Sequence, residues 1–312
     1  MKNNTTAQLM HNFGAQVVEV DPFSQRLLKH TQYLTNIKLI YRLTSAVQQH
    51  RGCTMASLSG CISFFERIKE LQAIVNKSFF ALKLNNLQLG ELMHRTQLGL
   101  AVMDWNAIQQ GWQNDTVLDN YEFHGHLIYV LNQMSKQYLD EILEGCEPEL
   151  KVQHESFFNI ILVELLGFIE QIAKLRGLST NSAVLKTCGL DSYSRITFLI
   201  KDIRIKNNEL TDQIGILSAE YEYIPSKQKL NKQKQRINKI AKIVETKILN
   251  TRVILESSED LFDLMTEIID MQWFILGTGL DLADRLIFDG LYVQSKLNKN
   301  APAKPRRFVQ DK

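Results

Sequence analysis

Proline is scarce: there are five in 312 residues, and two of them fall within residues 301–312. Long interior stretches therefore contain nothing that would break a helix. Aromatic residues make up only 9%, and no segment alternates Val, Ile or Thr with polar residues, which excludes a β-rich fold. The four cysteines, Cys53, Cys61, Cys146 and Cys188, form no CxxC pair. That excludes a disulfide framework and a zinc site of the usual spacing, and it fits the reduced thiols of a cytosol. A formal net charge of +2 argues against a nucleic-acid partner or a membrane surface at the level of the whole chain. No uncharged apolar run of about 18 residues occurs; the most apolar stretch, 157–168, is too short and contains Glu164. The first residues lack a charged segment followed by an apolar one, so no secretion signal is expected. Together these absences predict a soluble, cytoplasmic protein.

What is present is helical. Hydrophobic residues reach 45%, enough for a sizeable core, and they recur at helical spacing. Asp21-Pro22 reads as a helix start, with Asp capping free amides and Pro tolerated at the first helical position. Helical runs are predicted over about 21–60, 62–86, 88–110, 116–144, 149–187, 191–223, 226–256 and 258–296. Breaks are placed at Asn85-Asn86, residues 111–114, residues 145–148, Cys188-Gly189 and Pro225. The expected fold is all-α: two up-and-down four-helix bundles packed together, 21–147 and 148–297. A flexible arm, 1–20, and a disordered tail, 298–312, flank them.

Charge separates late in the chain. Residues 226–252 hold nine bases and one acid, Glu245, whereas residues 253–293 hold nine acids and one base, Arg285. Two helices of opposite sign can pack against each other with favourable long-range electrostatics. The other reading of the basic run is a nucleic-acid-binding face, but no aromatic is interleaved with its lysines to stack on bases.

Two segments, 43–60 and 166–185, each run into an Arg-Gly step followed by small and hydroxyl residues. Their arginines, Arg51 and Arg176, lie on stripes that alternate three- and four-residue spacings and so face partner helices. The first stripe is Leu34, Ile37, Tyr41, Thr44, Gln48, Arg51, Met55, Leu58 and Ile62; the second is Phe158, Leu162, Leu165, Ile169, Ile172, Arg176, Ser179 and Ala183. A guanidinium in a helical seam needs a partner, because an unpaired buried charge costs several kcal/mol. No acid occurs in 22–65 or in 171–190. An acid-free seam suits an anionic ligand, and the planar fork of arginine suits an oxyanion. Thr54 and Ser179, three residues past their arginines, could add donors, and Gly52 and Gly177 could loosen the helix so that backbone amides turn toward the ligand. The competing reading is an arginine that snorkels to solvent or pairs with an acid from another helix.

These segments resemble the nitrate- and nitrite-sensing (NIT) domain family. Gln48, Arg51 and Gly52 match its first motif of a Gln, an Arg-Gly step and a small residue. Arg176-Gly177-Leu178 is similar to the related motif of the second half, and residues 123–128 are similar to a helix with a histidine before a Leu-Ile pair. The resemblance spans essentially the whole chain. It implies an all-helical double bundle holding nitrate or nitrite between arginines and relaying binding to an output. Arg51 carries over directly; Arg176 is the best match for the second ligand, with Arg236 and Arg252 on the basic helix as alternatives. The chain departs from the family after Arg176, where Ser179-Thr180-Asn181-Ser182 replaces a more charged stretch. It also departs after residue 297, where nothing of domain size follows, so that the chain is expected to act in trans on a downstream regulatory protein, to be a sensing subunit, or to have lost its output.

Other constellations are weaker. His124 and His126 are two apart and point to different sides of a helix, which disfavours a metal site. Cys53 and Cys61 near Arg51 read first as core residues and second as a redox pair. Trp105, Trp112 and Trp273 are expected in the core. No phosphate-binding Gly loop, nucleophile elbow or catalytic carboxylate pair is found, so neither enzyme activity nor a cofactor is expected. Exposed apolar helix faces would allow a homodimer. The alternative overall reading is a helical protein-interaction or RNA-binding regulator.

Overall fold

The computed structural model describes residues 22–89, 92–146 and 148–300. Eight helices cover most of these residues, and among them no strand occurs. They are α1 (Pro22–Leu58), α2 (Phe65–Leu89), α3 (Leu92–Gly111), α4 (Val117–Glu144), α5, α6 (Leu190–Glu220), α7 and α8 (Ser258–Asn300). Helix α5 runs from Pro148–Asn159 through a π-helical turn, Ile160–Glu164, into Leu165–Leu185. Helix α7 spans Lys227–Val244 and closes in a second π-helical turn, Glu245–Leu249. Residues 1–21 and 301–312, which hold the expected arm, the Asp21 cap and most of the expected tail, lie outside the described residues.

Local chemistry explains most of the ends. Thr116 caps α4 by accepting from the Asp119 amide at 3.1 Å, and Ser257 does the same for α8 through the Asp260 amide at 3.2 Å. Lys186 ends α5 in the left-handed region at φ 58°, and Gly60 turns the chain after α1 at φ 103°. One expected break is absent: α2 passes through Asn85-Asn86 without interruption. These amides bond across helices instead of capping. Asn36 Nδ2 and the Tyr138 hydroxyl both donate to Asn86 Oδ1, at 2.9 and 2.6 Å, and Asn85 donates to Asn36 Oδ1 at 2.6 Å. The run expected over 226–256 also ends early, at Leu249. Residues 250–257 form a connection pinned to the end of α5 by the Ile254 amide donating to the Lys186 carbonyl at 3.1 Å.

Neighbour contacts run from α1 through α2 and α3 to α4 and back to α1, and from α5 through α6 and α7 to α8 and back to α5. Helix α1 also packs on α5 and α8, and the apolar core is continuous across both groups. The consequence shows in burial. Residues 50–56 of α1 and 175–183 of α5 are buried at every position, the mark of helices with neighbours on all sides. The stretch Lys151–Leu185 is long and apolar enough to cross a membrane, which amends the expectation that no such run exists. More than half of that apolar window is buried inside the molecule, covered by protein.

Glycine allows the central helices to approach. A Cβ on Gly177 would lie 4.0 Å from the Gly52 Cα and 3.2 Å from Met55 Sδ, and one on Gly52 would lie 2.7 Å from the Phe262 ring. Both helices continue unbroken through their glycines. Gly52 and Gly177 therefore do not loosen the backbone toward a ligand; they make room for a close crossing. The Tyr41 hydroxyl donates to a carbonyl within the π-helical turn of α5, that of Leu162, at 3.3 Å.

Gly52→Ala should lower stability by about 1–3 kcal/mol in urea unfolding, because a rigid ring blocks the added methyl despite the better helix propensity. Gly177→Ala, whose methyl meets Met55 Sδ at 3.2 Å and the Gly52 Cα only at 4.0 Å, should cost less than Gly52→Ala. Equal effects of the two would contradict this account of the crossing.

Candidate functional site

Both arginine stripes are buried as their spacing predicted, apart from Leu58, which is partly exposed, and Ile62, which follows the end of α1 and is exposed. Arg51 and Arg176 are each at 0% exposure. They come together where α1 crosses α5, with α8 alongside.

Arg51 is not without an acid. Glu170, on α5, accepts its fork at 2.7 Å (Nη1 to Oε1) and 3.2 Å (Nη2 to Oε2). The Glu170 side chain is itself only 12% exposed, so the pair is nearly desolvated. Gln48 adds a third bond, Nε2 donating to Glu170 Oε2 at 2.9 Å, and the Tyr121 ring lies 5.4 Å from the guanidinium carbon. The acid-free seam inferred for Arg51 is thus corrected. The acid comes from another helix, one residue outside the acid-free window 171–190. A signal for it was present: Glu170 precedes Gly177 by seven residues and so shares the small-residue face turned to α1.

Arg176 differs. Its Nη1 donates to the Thr266 hydroxyl at 2.8 Å and its Nη2 to the Gln48 carbonyl at 2.9 Å, both neutral oxygens. Its guanidinium carbon lies 4.6 Å from the Phe262 ring centre. Among the described residues no carboxylate is within ion-pair distance of it. Burial pushes the group down to about 10, Arg51 and Arg67 push the same way, and Cys53 and Asp270 oppose; it stays charged at neutral pH. Along the two helix segments that carry the arginines several buried polar atoms have no hydrogen-bond partner: Nε of both arginines, Gln48 Oε1, Thr44 Oγ1, Ser179 Oγ and Thr180 Oγ1.

Of the other expected ligands, Gln48 joins the cluster through both its amide and its carbonyl, and Ser179 is buried with its hydroxyl unengaged. Thr54 is engaged by Asn120 Oδ1 at 2.7 Å and by the His50 carbonyl at 2.9 Å. Arg236 and Arg252 are exposed, away from the buried arginines. Arg236 lies against Met271 Sδ at 3.2 Å. Lys227, Lys229, Lys232 and Lys239 of α7 also face solvent. The ion pairs that this segment makes among the described residues go to α6 (Arg204–Glu245, 2.8 Å) and to the connection (Lys247–Glu256, 3.6 Å) rather than to acidic α8.

A second buried polar group adjoins the first. His50 Nδ1 lies 2.8 Å from His124 Nε2, and His124 Nδ1 donates to the Asn120 carbonyl at 2.7 Å. That bond fixes the tautomers: His124 accepts at Nε2 from His50, which leaves His50 Nε2 as an acceptor without a partner. His126, two residues on, is exposed beside Asp104 at 3.3 Å. Burial holds His50 down to about 3 and His124 far below its ordinary range. Burial also raises the Cys53 thiol to about 12 against the pull of Arg67 and Arg176, so it is no ready thiolate. Among the described residues no group of three His, Cys, Asp or Glu side chains is arranged to hold a metal.

Compared with protein-family models, curated proteins and solved structures, the chain matches none. The likeness to nitrate- and nitrite-sensing domains therefore rests on the residues quoted above.

Glu170→Ala should cost about 3–5 kcal/mol in chemical unfolding by stranding the Arg51 charge, whereas Arg51→Met with Glu170→Met should recover most of that loss. Acid should also destabilise the chain. The unfolded chain protonates His50 and His124 as pH falls through 6.5 and the folded chain does not, so stability is full above 6.5 and is lost from there toward about 3. Each imidazole contributes up to about 1.4 kcal/mol per pH unit. His124→Gln should show a shallower loss of stability between neutral pH and about pH 5, measured by urea unfolding at a series of pH values.

Proposed function

We propose that the chain is a cytoplasmic sensor that binds one small monovalent oxyanion, nitrate or nitrite, at the Arg176 end of the buried cluster and signals to a partner protein. The observation that carries this reading is the charge of the cluster. Glu170 cancels Arg51, while Arg176 is fully buried against neutral oxygens, which leaves one positive charge out of water. One singly charged oxyanion would cancel it; a doubly charged one would overshoot. The unsatisfied Nε groups and the Ser179 and Thr180 hydroxyls supply further donors of the kind that planar oxyanions accept.

Gln48 ties the two arginines together, its side-chain amide donating to Glu170 and its main-chain carbonyl accepting from Arg176. A ligand at Arg176 thus touches the Arg51 pair through a single residue. Both guanidiniums are sealed, so an anion reaches them only as α1, α5 and α8 separate. Entry and helix displacement are then one event, and the anion shifts the helices by as much as it prefers the separated arrangement.

Thermal unfolding with nitrate, nitrite, chlorate and sulfate tests this. Nitrate at about a hundred times its Kd should add about 2.7 kcal/mol and raise Tm by about 5 °C, with sulfate giving less. Arg176→Met should abolish the shift while leaving the anion-free Tm unchanged or higher, since it removes an uncompensated buried charge. A Tm indifferent to all four anions at millimolar concentration would sink the proposal.

A further inference from the structure

A cleft separate from the buried arginines opens on another side of α1. It has a volume of about 490 Å³ and lies between α1, α2 and α8, within the size range of small-molecule sites. Its walls differ in chemistry. Lys38, Arg42, Ser45 and Gln49 line it from α1 at spacings of four, three and four, which places them on one face of the helix. Trp273, Leu276 and Leu280 line it from α8, and Leu71 and Ile74 from α2. Ile74 is 49% exposed, an apolar side chain left open to the cleft rather than covered by protein.

The charge on the polar wall is not balanced. Asp281, the one acid lining the cleft, is held by Lys38 at 2.8 Å. Arg42, one turn along α1, has no ion-pair partner among the described residues. Trp273, whose ring lies 5.8 Å from that of Tyr41, has its indole N–H buried without an acceptor. Among the described residues the exposed Arg42 guanidinium is therefore the one cation of this wall without an acid beside it. Gly277 contributes the remaining feature: it lines the cleft from α8, and a Cβ built on it meets nothing within 4 Å. Any larger residue there would project into space that the fold otherwise leaves open.

We propose that this cleft is a binding site for a small amphiphilic carboxylate, its apolar body on Trp273 and Ile74 and its carboxylate on Arg42. The pairing follows from the walls. An apolar body covers the exposed Ile74 and the part-exposed Trp273 ring, and a carboxylate accepts from the guanidinium fork of Arg42. A neutral analogue keeps the first contribution and loses the second. A cationic analogue meets Arg42 with like charge.

Calorimetric titration of the full chain tests this, with phenylbutyrate as probe and phenylbutanol and phenylbutylamine as neutral and cationic counterparts. Phenylbutyrate should bind at least about tenfold more tightly than the alcohol, and the amine should not bind. Arg42→Gln, at the surface of α1, should erase the advantage of the acid over the alcohol. Gly277→Leu should abolish binding of both while its Tm stays at or above that of the parent, since leucine has the better helix propensity and a Cβ there meets nothing within 4 Å. Equal affinity for acid and alcohol, binding that survives Gly277→Leu, or no heat from phenylbutyrate at millimolar concentration would each overturn the assignment.

Discussion

Where α1 crosses α5, two glycines let the helices approach closely enough that two guanidinium groups lose all contact with water. Desolvating a guanidinium costs several kcal/mol, and the surrounding arrangement answers that cost. Glu170 meets Arg51 with a two-point ion pair, Gln48 reinforces it, and α8 contributes Thr266 and the Phe262 ring to Arg176. Phe262 is also the ring that a Cβ at Gly52 would strike. The crossing distance, the position of α8 and the fate of both charges are therefore one linked constraint. A change at any of these residues is felt at the others.

The same crossing makes α1 a helix with two roles. Its buried faces hold Thr44, Gln48, His50 and Arg51 in the interior, and its remaining face presents Lys38, Arg42, Ser45 and Gln49 to the cleft against α8. Thr44 and Ser45, or Gln48 and Gln49, are adjacent in sequence yet belong to different environments, because successive helical positions turn by about 100°. The interior around α1 is polar to an unusual degree. The His50–His124 pair and the Asn36–Asn86–Tyr138 group are directional contacts that specify which helices meet and in what register.

Much of the helix layout could be read from the amino acids. Caps, glycines and the 3.6-residue period placed most helix ends within a few residues, and both arginine stripes are buried as that period required. The exceptions are instructive. Asn85-Asn86 looks like a break because asparagine favours caps, but its partners come from α1 and α4, distant in sequence. Glu170 lies one residue outside the acid-free window and 119 residues from Arg51, so local acid depletion does not reveal the pair. Gly52 and Gly177 looked like points of weakness in single helices; they are points of contact between two. Trp273 packs against the core as expected and also forms part of the wall of the cleft, a second role that its own helix does not encode.

The sequence by itself determined the all-helical class, most of the helix boundaries and the burial of Arg51 and Arg176, because each follows from local propensity and from the period of apolar positions along one helix. Only the tertiary structure decided that Arg51 is neutralised by Glu170 while Arg176 is not, and that α1, α2 and α8 enclose a cleft with one donor-lined wall. Charge compensation and concavity depend on which residues from distant helices share a few ångströms, and that juxtaposition is set by the crossing of the helices, not by the pattern along any one of them.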